Sequence, residues 1–445
     1  MLLTEIELVG FKAYERAAIR VAPVTVLIGP NNGGKSTVLQ ALGLLAQTVA
    51  ASQGAIKTQG PIVDLGSSTA ELANDSTGRA ASWGINLTWS TPADGEPVDV
   101  GFELKVGPEQ RPQPFATTTW VTQKRSGRLG PVDVRATSGS PKVTVKATGL
   151  PQQGIDVPAN AASPWQWQIA GPSGGTGPLA DQLIAEILAT ATPLFAGAVA
   201  HQLEAFHYVG PDRQVVRSAF PLGGSRIWNP QKAEDVINTF TFEDEILARV
   251  SDRLRRTFHY GLDKTLFRAD QFGTANRGNQ VALVGTTQDG HRRNIVNMGA
   301  GFTQFGWIAL QVELARRFQD PQYGQYAPRI KPTPIVGVEE PELHLHPRLQ
   351  PAMAELLADF TLQGAQVVCT TQSEHFLMAI LELILAGKLT SDQVSVYYLD
   401  APVVERLEVD SKGQLKGGLR GFLEENEKQV ERQIELLRKS AGLDP

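Results

Sequence analysis

Lys35 and Ser36 stand near the end of the run Gly29-Pro30-Asn31-Asn32-Gly33-Gly34-Lys35-Ser36-Thr37, which directly follows the apolar stretch Val24-Thr25-Val26-Leu27-Ile28. An ammonium beside a hydroxyl, after a glycine-rich turn, suits a nucleotide phosphate. Gly29, Gly33 and Gly34 let the backbone curl around phosphate oxygens without Cβ clashes, and successive N–H groups then point inward. A helix expected from Lys35 through Leu39, Ala41, Leu42 and Leu45 adds about half a positive charge at the same spot. Lys35 can reach the β- and γ-phosphates and the Ser36 hydroxyl can ligate Mg²⁺, with Asn31, Asn32 and Thr37 completing the phosphate-binding set. A chance glycine-rich turn is the competing reading, and the strand-then-helix context argues against it.

A second constellation lies about three hundred residues on, in Ile335-Val-Gly-Val-Glu339-Glu340-Pro341-Glu342, followed by Leu343-His344-Leu345-His346-Pro347. An apolar strand ending in adjacent carboxylates puts negative charge at the carboxyl edge of a sheet, where ligands bind in open α/β folds. There Glu339 can hold the hydration shell of Mg²⁺, and Glu340 can orient and deprotonate the water that attacks the γ-phosphate. An exposed acidic loop is the bland alternative, and the upstream glycine loop weighs against it. His344 and His346 resemble a metal pair, but no cysteine or third ligand lies nearby, so structural or interface roles are expected rather than zinc.

These residues need a scaffold. The 445-residue chain can bury a large core, and a net charge of −5 argues against a surface that generally coats nucleic acid. The one cysteine, Cys369, sits in an apolar run and reads as a small buried hydrophobe, so no disulfide framework exists. The N-terminus lacks a basic n-region with a long apolar core, and no stretch is long enough to span a bilayer; a cytoplasmic protein with no membrane partner is expected. Ile6, Leu8, Val9 and Phe11, a turn over Lys12–Arg16, then Ala18–Val21 read as a hairpin leading into the strand before the glycine loop.

Short alternating segments follow: Trp83–Trp89, Val98–Val106, Thr117–Gln123, Val143–Lys146 and Trp165–Ile169, separated by Gly and Pro clusters. Helical periodicity dominates Pro178–Leu203 and Lys232–Phe258, and Gln280–Val284 reads as a strand. A buried helix is expected over Thr303–Phe318, and Ile335–Val338 and Gln366–Thr370 read as parallel central strands flanking a helix at Pro347–Phe360. Phe422–Leu437 reads as a charged amphipathic helix, and no heptad run appears.

Read in order, Gly-Pro-Asn-Asn-Gly-Gly-Lys-Ser-Thr, Glu-Glu-Pro-Glu-Leu-His-Leu-His-Pro and Thr-Gln-Ser-Glu-His-Phe resemble the AAA/ABC-type ATPases of the OLD and RecF-like, SMC-related class. Val209-Gly-Pro-Asp-Arg213 resembles that family's Gly-Pro-x-Arg element, and Val409–Phe422 its C-terminal strand and Gly-Phe tail; residues 80–290 match only loosely. The resemblance implies an α/β head with a mixed central sheet, an antiparallel β lobe and an inserted helical lobe. The expected divisions are 1–80 for the first part of the ATPase core, 81–170 for the β subdomain and 171–290 for a helical insertion. Residues 291–400 complete the core, and 401–445 form a strand-and-helix tail. It further implies ATP and Mg²⁺ as cofactors, Lys35, Ser36 and Thr37 as phosphate and Mg²⁺ contacts, Glu339 as the second magnesium ligand and Glu340 as the base.

Asn297-Met-Gly299-Ala-Gly301-Phe-Thr303-Gln304 sits where the family keeps its signature loop, which covers the γ-phosphate bound by the opposite protomer. Two glycines with Thr303 and Gln304 at a helix start make an anion-binding edge; a plain helix cap is the competing reading. Relatives carry Thr-His-Ser where this chain has Thr371-Gln372-Ser373, with His375 three residues on. A glutamine amide still donates a hydrogen bond but carries no titratable proton. Slow hydrolysis, or substitution by His375, is the expectation.

OLD-type nucleases add an acidic nuclease domain and SMC relatives add long coiled coils, and neither is expected here. The compact layout is similar to components of bacterial anti-phage and toxin–antitoxin-like modules. A homodimeric or higher-order ATP switch acting on a separate effector protein, with nucleic acid a candidate partner, is therefore the leading expectation. A nucleotide-sensing scaffold with little turnover is the alternative. A transporter subunit is disfavoured, because Leu-Ser-Gly-Gly-Gln and a membrane-coupling glutamine loop are missing. Arg253-Leu-Arg-Arg256, Arg292-Arg293 and Arg316-Arg317 could line a DNA groove, but are expected to be surface charges paired with nearby acids.

Overall fold

The computed structural model describes residues 1–51, 55–74, 82–91, 97–107, 115–123, 131–138, 140, 142–148, 150–163, 166–170, 178–194, 198–211, 219–221, 236–238, 243–267, 280–319, 332–416 and 432–434. Strands β1 (Leu2–Phe11) and β2 (Tyr14–Arg20) form the expected hairpin, and β3 (Val24–Ile28) hands the glycine loop to helix α1 (Lys35–Ala50). The hairpin's alternation sends Leu3, Ile6, Leu8 and Phe11 inward, as a half-buried strand requires. In contrast β3 is buried at every position, which its unbroken apolar run foretells.

Strands β4 (Trp83–Thr91), β5 (Val98–Val106), β6 (Phe115–Gln123), β7 (Val132–Thr137), β8 (Lys142–Ala147), β9 (Ile155–Ser163) and β10 (Gln166–Ile169) continue as an antiparallel meander. It joins the hairpin through β1 and β4 in one sheet, ordered β10-β9-β8-β7-β6-β5-β4-β1-β2. Strands β7 and β9 are additions to the expected set; each is a short alternation embedded in Gly-, Pro- and Ser-rich sequence that blurs strand from turn.

Helices α2 (Pro178–Pro193) and α3 (Val199–Glu204) lead into β11 (Phe206–Val209). The segment read as a helical insertion also carries strands: β12 (Phe220–Pro221), then α4 (Asp244–Phe258), β13 (Gly261–Phe267) and β14 (Gln280–Thr286), with β15 (Arg292–Asn294) pairing β14. The expected helical start at Lys232, and the Asp212-Arg213 end of the Gly-Pro-x-Arg element, lie outside the described residues. So does nearly all of Phe422–Leu437, and the tail element is described only up to Lys416.

Helix α5 (Ala300–Ala315) precedes β16 (Ile335–Glu339), and α6 (Gln350–Thr361) links β16 to β17 (Gln366–Thr371). Helix α7 (Glu374–Leu385), β18 (Val394–Asp400) and β19 (Val403–Leu407) follow. The central mixed sheet runs β11-β16-β17-β3-β18-β19, parallel except for the last pair. Its two faces belong to two cores. Leu27, Val368 and Leu399 pack with α1 and the nine-stranded sheet, while Val26, Val338, Val367 and Cys369 pack with α4 to α7. Helices α1 and α5 are apolar nearly all round and are accordingly buried on almost every side.

Side chains of the central sheet stitch it to the hairpin. The Gln366 carboxamide accepts from the Leu3 N–H (2.7 Å) and donates to the Leu3 carbonyl (2.9 Å). On the other strand of the hairpin the Tyr397 hydroxyl accepts from the Arg20 N–H (2.8 Å), and the Ser395 hydroxyl donates to the Arg20 carbonyl (3.0 Å). Backbone groups leaving one sheet are thus satisfied by side chains of the other.

Candidate functional site

The glycine loop leaves the buried end of β3 and turns back on itself. Gly29, Asn32 and Gly34 have φ of 150°, 61° and 86°, conformations that glycine and asparagine tolerate. A Cβ at Gly29 would overlap the Leu399 carbonyl, and one at Gly34 would lie 2.5 Å from the Tyr14 hydroxyl, so both positions also lack room. Tyr14 itself donates to the Gly33 carbonyl (3.1 Å), bracing the loop from the hairpin side. Asn31 and Asn32 are exposed at the tip, whereas Thr37 is buried in the first turn of α1.

Lys35 reaches back along the loop, and its ammonium donates to the carbonyls of Gly29 (2.8 Å) and Pro30 (2.7 Å). Burial lowers its pKa, while the charges of Glu340, Glu342 and Glu339 oppose that shift. Ser36, next in line, donates to Oε2 of Glu339 (2.7 Å), so strand β16 and the loop meet at the two groups expected to share Mg²⁺. Glu339 is 5% exposed, and its Oε1 accepts from the Tyr208 hydroxyl on β11 (2.6 Å). Lys12 lies close enough to feel Glu339: burial lowers its pKa and the Glu339 charge raises it, while its ammonium donates to Gln40 (2.6 Å).

Glu340 leaves the strand with φ of 46°, and its amide donates to the Thr370 carbonyl (2.9 Å). Its Oε1 accepts from the Gln372 carboxamide (2.6 Å), so the two residues expected at the reacting water touch. His375 is exposed in the first turn of α7; the partner that meets Glu340 is Gln372. Glu342 has turned inward. Its Oε1 accepts from the Thr371 hydroxyl (2.7 Å) and the Gln372 amide (3.0 Å), and its Oε2 is buried with no hydrogen-bond partner. Burial raises the Glu342 pKa, the Gln372 and Thr371 bonds oppose that, and the Glu340 charge adds to it.

The expected signature edge begins α5, with Gly299 as the residue before the helix and Gly301 packed near the His344 carbonyl. The Thr303 amide and hydroxyl both donate to the Gly299 carbonyl (3.2 and 3.4 Å), while Gln304 is buried with an unpaired Oε1. What this edge offers a ligand is therefore the exposed backbone of its first turn. His346 accepts through Nδ1 from the Arg348 amide (3.2 Å), a cap for the turn that follows. Among the described residues no group of three or more His, Cys, Asp or Glu could hold a metal.

Basic residues meet acids: Arg253 with Asp359 (2.5 Å), Arg316 with Glu313 (3.2 Å), Arg255 with Asp252 (3.2 Å), and Arg292 with Asp263. The pairing with acids is as expected, but Arg316 and Glu313 are largely enclosed and Arg317 is buried, so that cluster is not a surface patch. Four residues at the site carried no role in the sequence reading: Lys12, Tyr14, Tyr208 and Glu342. Tyr208 adjoins the Gly-Pro-x-Arg element, but its contact with Glu339 spans 131 positions, so no local pattern announces it. Among the described residues no helix is long and apolar enough to cross a membrane.

A family model described as an AAA ATPase domain matches residues 1–77. One described as an AAA domain, putative AbiEii toxin, Type IV TA system matches residues 242–379. The first match contains the glycine loop and the second the Glu339–Glu340 pair, so both motif regions are similar to AAA-type ATPase domains. No curated protein matches. Among solved structures, the chain is similar to an Smc head with an extended coiled coil bound to the C-terminal domain of ScpA, derived from Pyrococcus furiosus. Identity is 12%, with 97% of this chain and 99% of that one covered, at a TM-score of 0.46. It is also similar to the SMC head domain from Thermotoga maritima, at 14% identity over 92% of this chain and 100% of that one, with a TM-score of 0.39.

Proposed function

We propose that the chain binds ATP with Mg²⁺ in the glycine loop and hydrolyses it as a dimeric switch controlling a separate effector or a nucleic acid. The observation that carries the reading is the 2.7 Å bond from Ser36 to Glu339, which unites the loop with the carboxylate pair. The donor set fits the metal. Magnesium prefers hard oxygens and takes one or two carboxylates, leaving its other positions to phosphates and water. A hydroxyl beside one carboxylate, without a denser acidic cluster among the described residues, is that kind of site. Bound Mg²⁺ would supply neutralisation of charge on the β- and γ-phosphate oxygens.

The chain's own residues do the rest. Lys35 would exchange the Gly29 and Pro30 carbonyls for phosphate oxygens, the Ser36 hydroxyl would ligate the metal, and Glu339 would hold it or its hydration shell through one oxygen. Glu340 takes the proton of the attacking water, and the Gln372 carboxamide keeps its carboxylate oriented. The amides at Gly299–Gly301 of a second copy would seal the γ-phosphate. Moving such a pair from mostly open to mostly closed needs a preference of about 5.5 kcal/mol for the closed form, which loss of the γ-phosphate would remove. The match to a model named for AbiEii toxin and Type IV toxin–antitoxin systems supports placing this switch in a bacterial defence-type module with its own effector.

Equilibrium binding of a fluorescent ATP analogue and phosphate release test the reading on the full chain. Lys35→Ala should weaken binding by more than about tenfold, the scale of hydrogen bonds to a charged group. Glu340→Gln should lower turnover by about 10²–10⁴-fold, with affinity retained and the dimer fraction in ATP increased. Unchanged binding in the first variant would remove the loop assignment, and unchanged turnover in the second would remove the base.

Gln372 favours one other reading, a nucleotide-sensing scaffold. Its amide holds Glu340 but offers no titratable proton where relatives carry histidine. Wild-type phosphate release no faster than that of Glu340→Gln, with ATP binding intact, would select it.

A further inference from the structure

We propose that Tyr208 is a positioning residue for the magnesium carboxylate. Its hydroxyl fixes Glu339 so that only the oxygen beside Ser36 is presented to the metal. This rests on the ATPase reading above. Glu339 ends β16, where a free carboxylate could turn about its last bonds and offer either oxygen or both. In the structure each oxygen is met by a hydroxyl on a different element: Oε2 by Ser36 at 2.7 Å and Oε1 by Tyr208 at 2.6 Å.

The sheet makes this reach possible. Strands β11 and β16 are parallel, with Tyr208 opposite Gly337 and Val209 opposite Val338, so Tyr208 and Glu339 are diagonal neighbours on one face. Gly337 lies between them in that row. A Cβ there would meet the Phe206 ring at 2.8 Å and Leu39 of α1 at 3.1 Å, so this face is the one that α1 covers. The Phe206 ring and Leu39 fill the space above Gly337, and the Tyr208 phenol reaches the carboxylate from the neighbouring strand. With Oε1 occupied, Glu339 is held to a one-oxygen role, which suits the strict octahedral demand of Mg²⁺ better than a freely turning, bidentate carboxylate that would favour Ca²⁺.

The test is a Mg²⁺ titration of fluorescent ATP-analogue binding to the full chain, for wild type and Tyr208→Phe, with a parallel measurement in EDTA. Partners that orient metal ligands are typically worth 10–100-fold in metal affinity. The expected result is a Mg²⁺ midpoint raised about tenfold or more in Tyr208→Phe, a relative gain for Ca²⁺, and affinity in EDTA unchanged within about twofold. In a Glu339→Gln background, Tyr208→Phe should make no further difference, which separates action through Glu339 from a general loss of structure.

An unshifted midpoint, an equal loss with and without Mg²⁺, or a full effect persisting in the Glu339→Gln background would each overturn the assignment. Wild-type chain that binds ATP with no Mg²⁺ dependence would overturn it while sparing the loop. Wild-type chain that binds no nucleotide at all would remove the ATPase reading and this inference with it.

Discussion

His207 shows how strongly single positions in this chain are set by their surroundings. It is fully enclosed on β11, and burial pushes its pKa down to about 3, with the nearby Gln311 side chain opposing and the Arg317 charge adding to the shift. The unfolded chain therefore binds a proton at this site below pH 6.5 that the folded chain refuses. Stability contributed here is present above that value and falls on acidification toward pH 3. Between pH 7 and pH 5 the loss should be about 2 kcal/mol, and His207→Asn should flatten that slope in urea unfolding. That Lys35, Ser36, Glu339 and Glu340 would be brought together was legible because they belong to short motifs. The partners at Tyr208 and Tyr14 were not, because a tyrosine in a strand looks the same in sequence whether it meets a carboxylate or fills a core. Glu342 was visible as a third acid, but its inward turn depends on the left-handed backbone at Glu340.

The decisive element is the end of β17 and the start of α7. Ser373 caps α7 by accepting from the Phe376 amide (3.2 Å) and donates to the Gln350 carboxamide of α6 (2.6 Å). One residue earlier, Gln372 holds Glu340, so the cap and the Gln372–Glu340 contact share a turn. Ser373→Ala should cost about 1 kcal/mol in denaturant unfolding. Its turnover should fall several-fold while ATP affinity changes little, because the displaced Gln372 no longer orients Glu340. Equal losses of affinity and turnover would contradict that coupling. Strands β3, β16 and β17 were readable from unbroken apolar runs, and α1 and α5 from long apolar stretches. Strands β7 and β9 escaped because their alternation is short and their flanks are rich in turn-formers; β14 was read as a strand, but β12, β13 and β15 escaped because local pattern does not fix which segments pair with it.

At the scale of the molecule, two sheets share a seam that no local pattern predicts. Gln366 is 1% exposed and completes both backbone bonds of Leu3, at a separation of 363 positions. Gln366→Leu should destabilise the fold by about 2–6 kcal/mol, since it leaves two buried backbone groups unpaired at about 1–3 kcal/mol each. Differential scanning calorimetry should show a lowered single transition, and a change within error would mean that water replaces the carboxamide.

Strand β3 lies between β17 and β18, and the Leu399 carbonyl closes against Gly29 and Gly33. During synthesis, then, the glycine loop is made more than three hundred residues before the strands that wall it. Its walls emerge only when residues near 400 have been made. On the proposed function, a chain made only as far as β17 should stay blind to nucleotide until β18 joins the sheet.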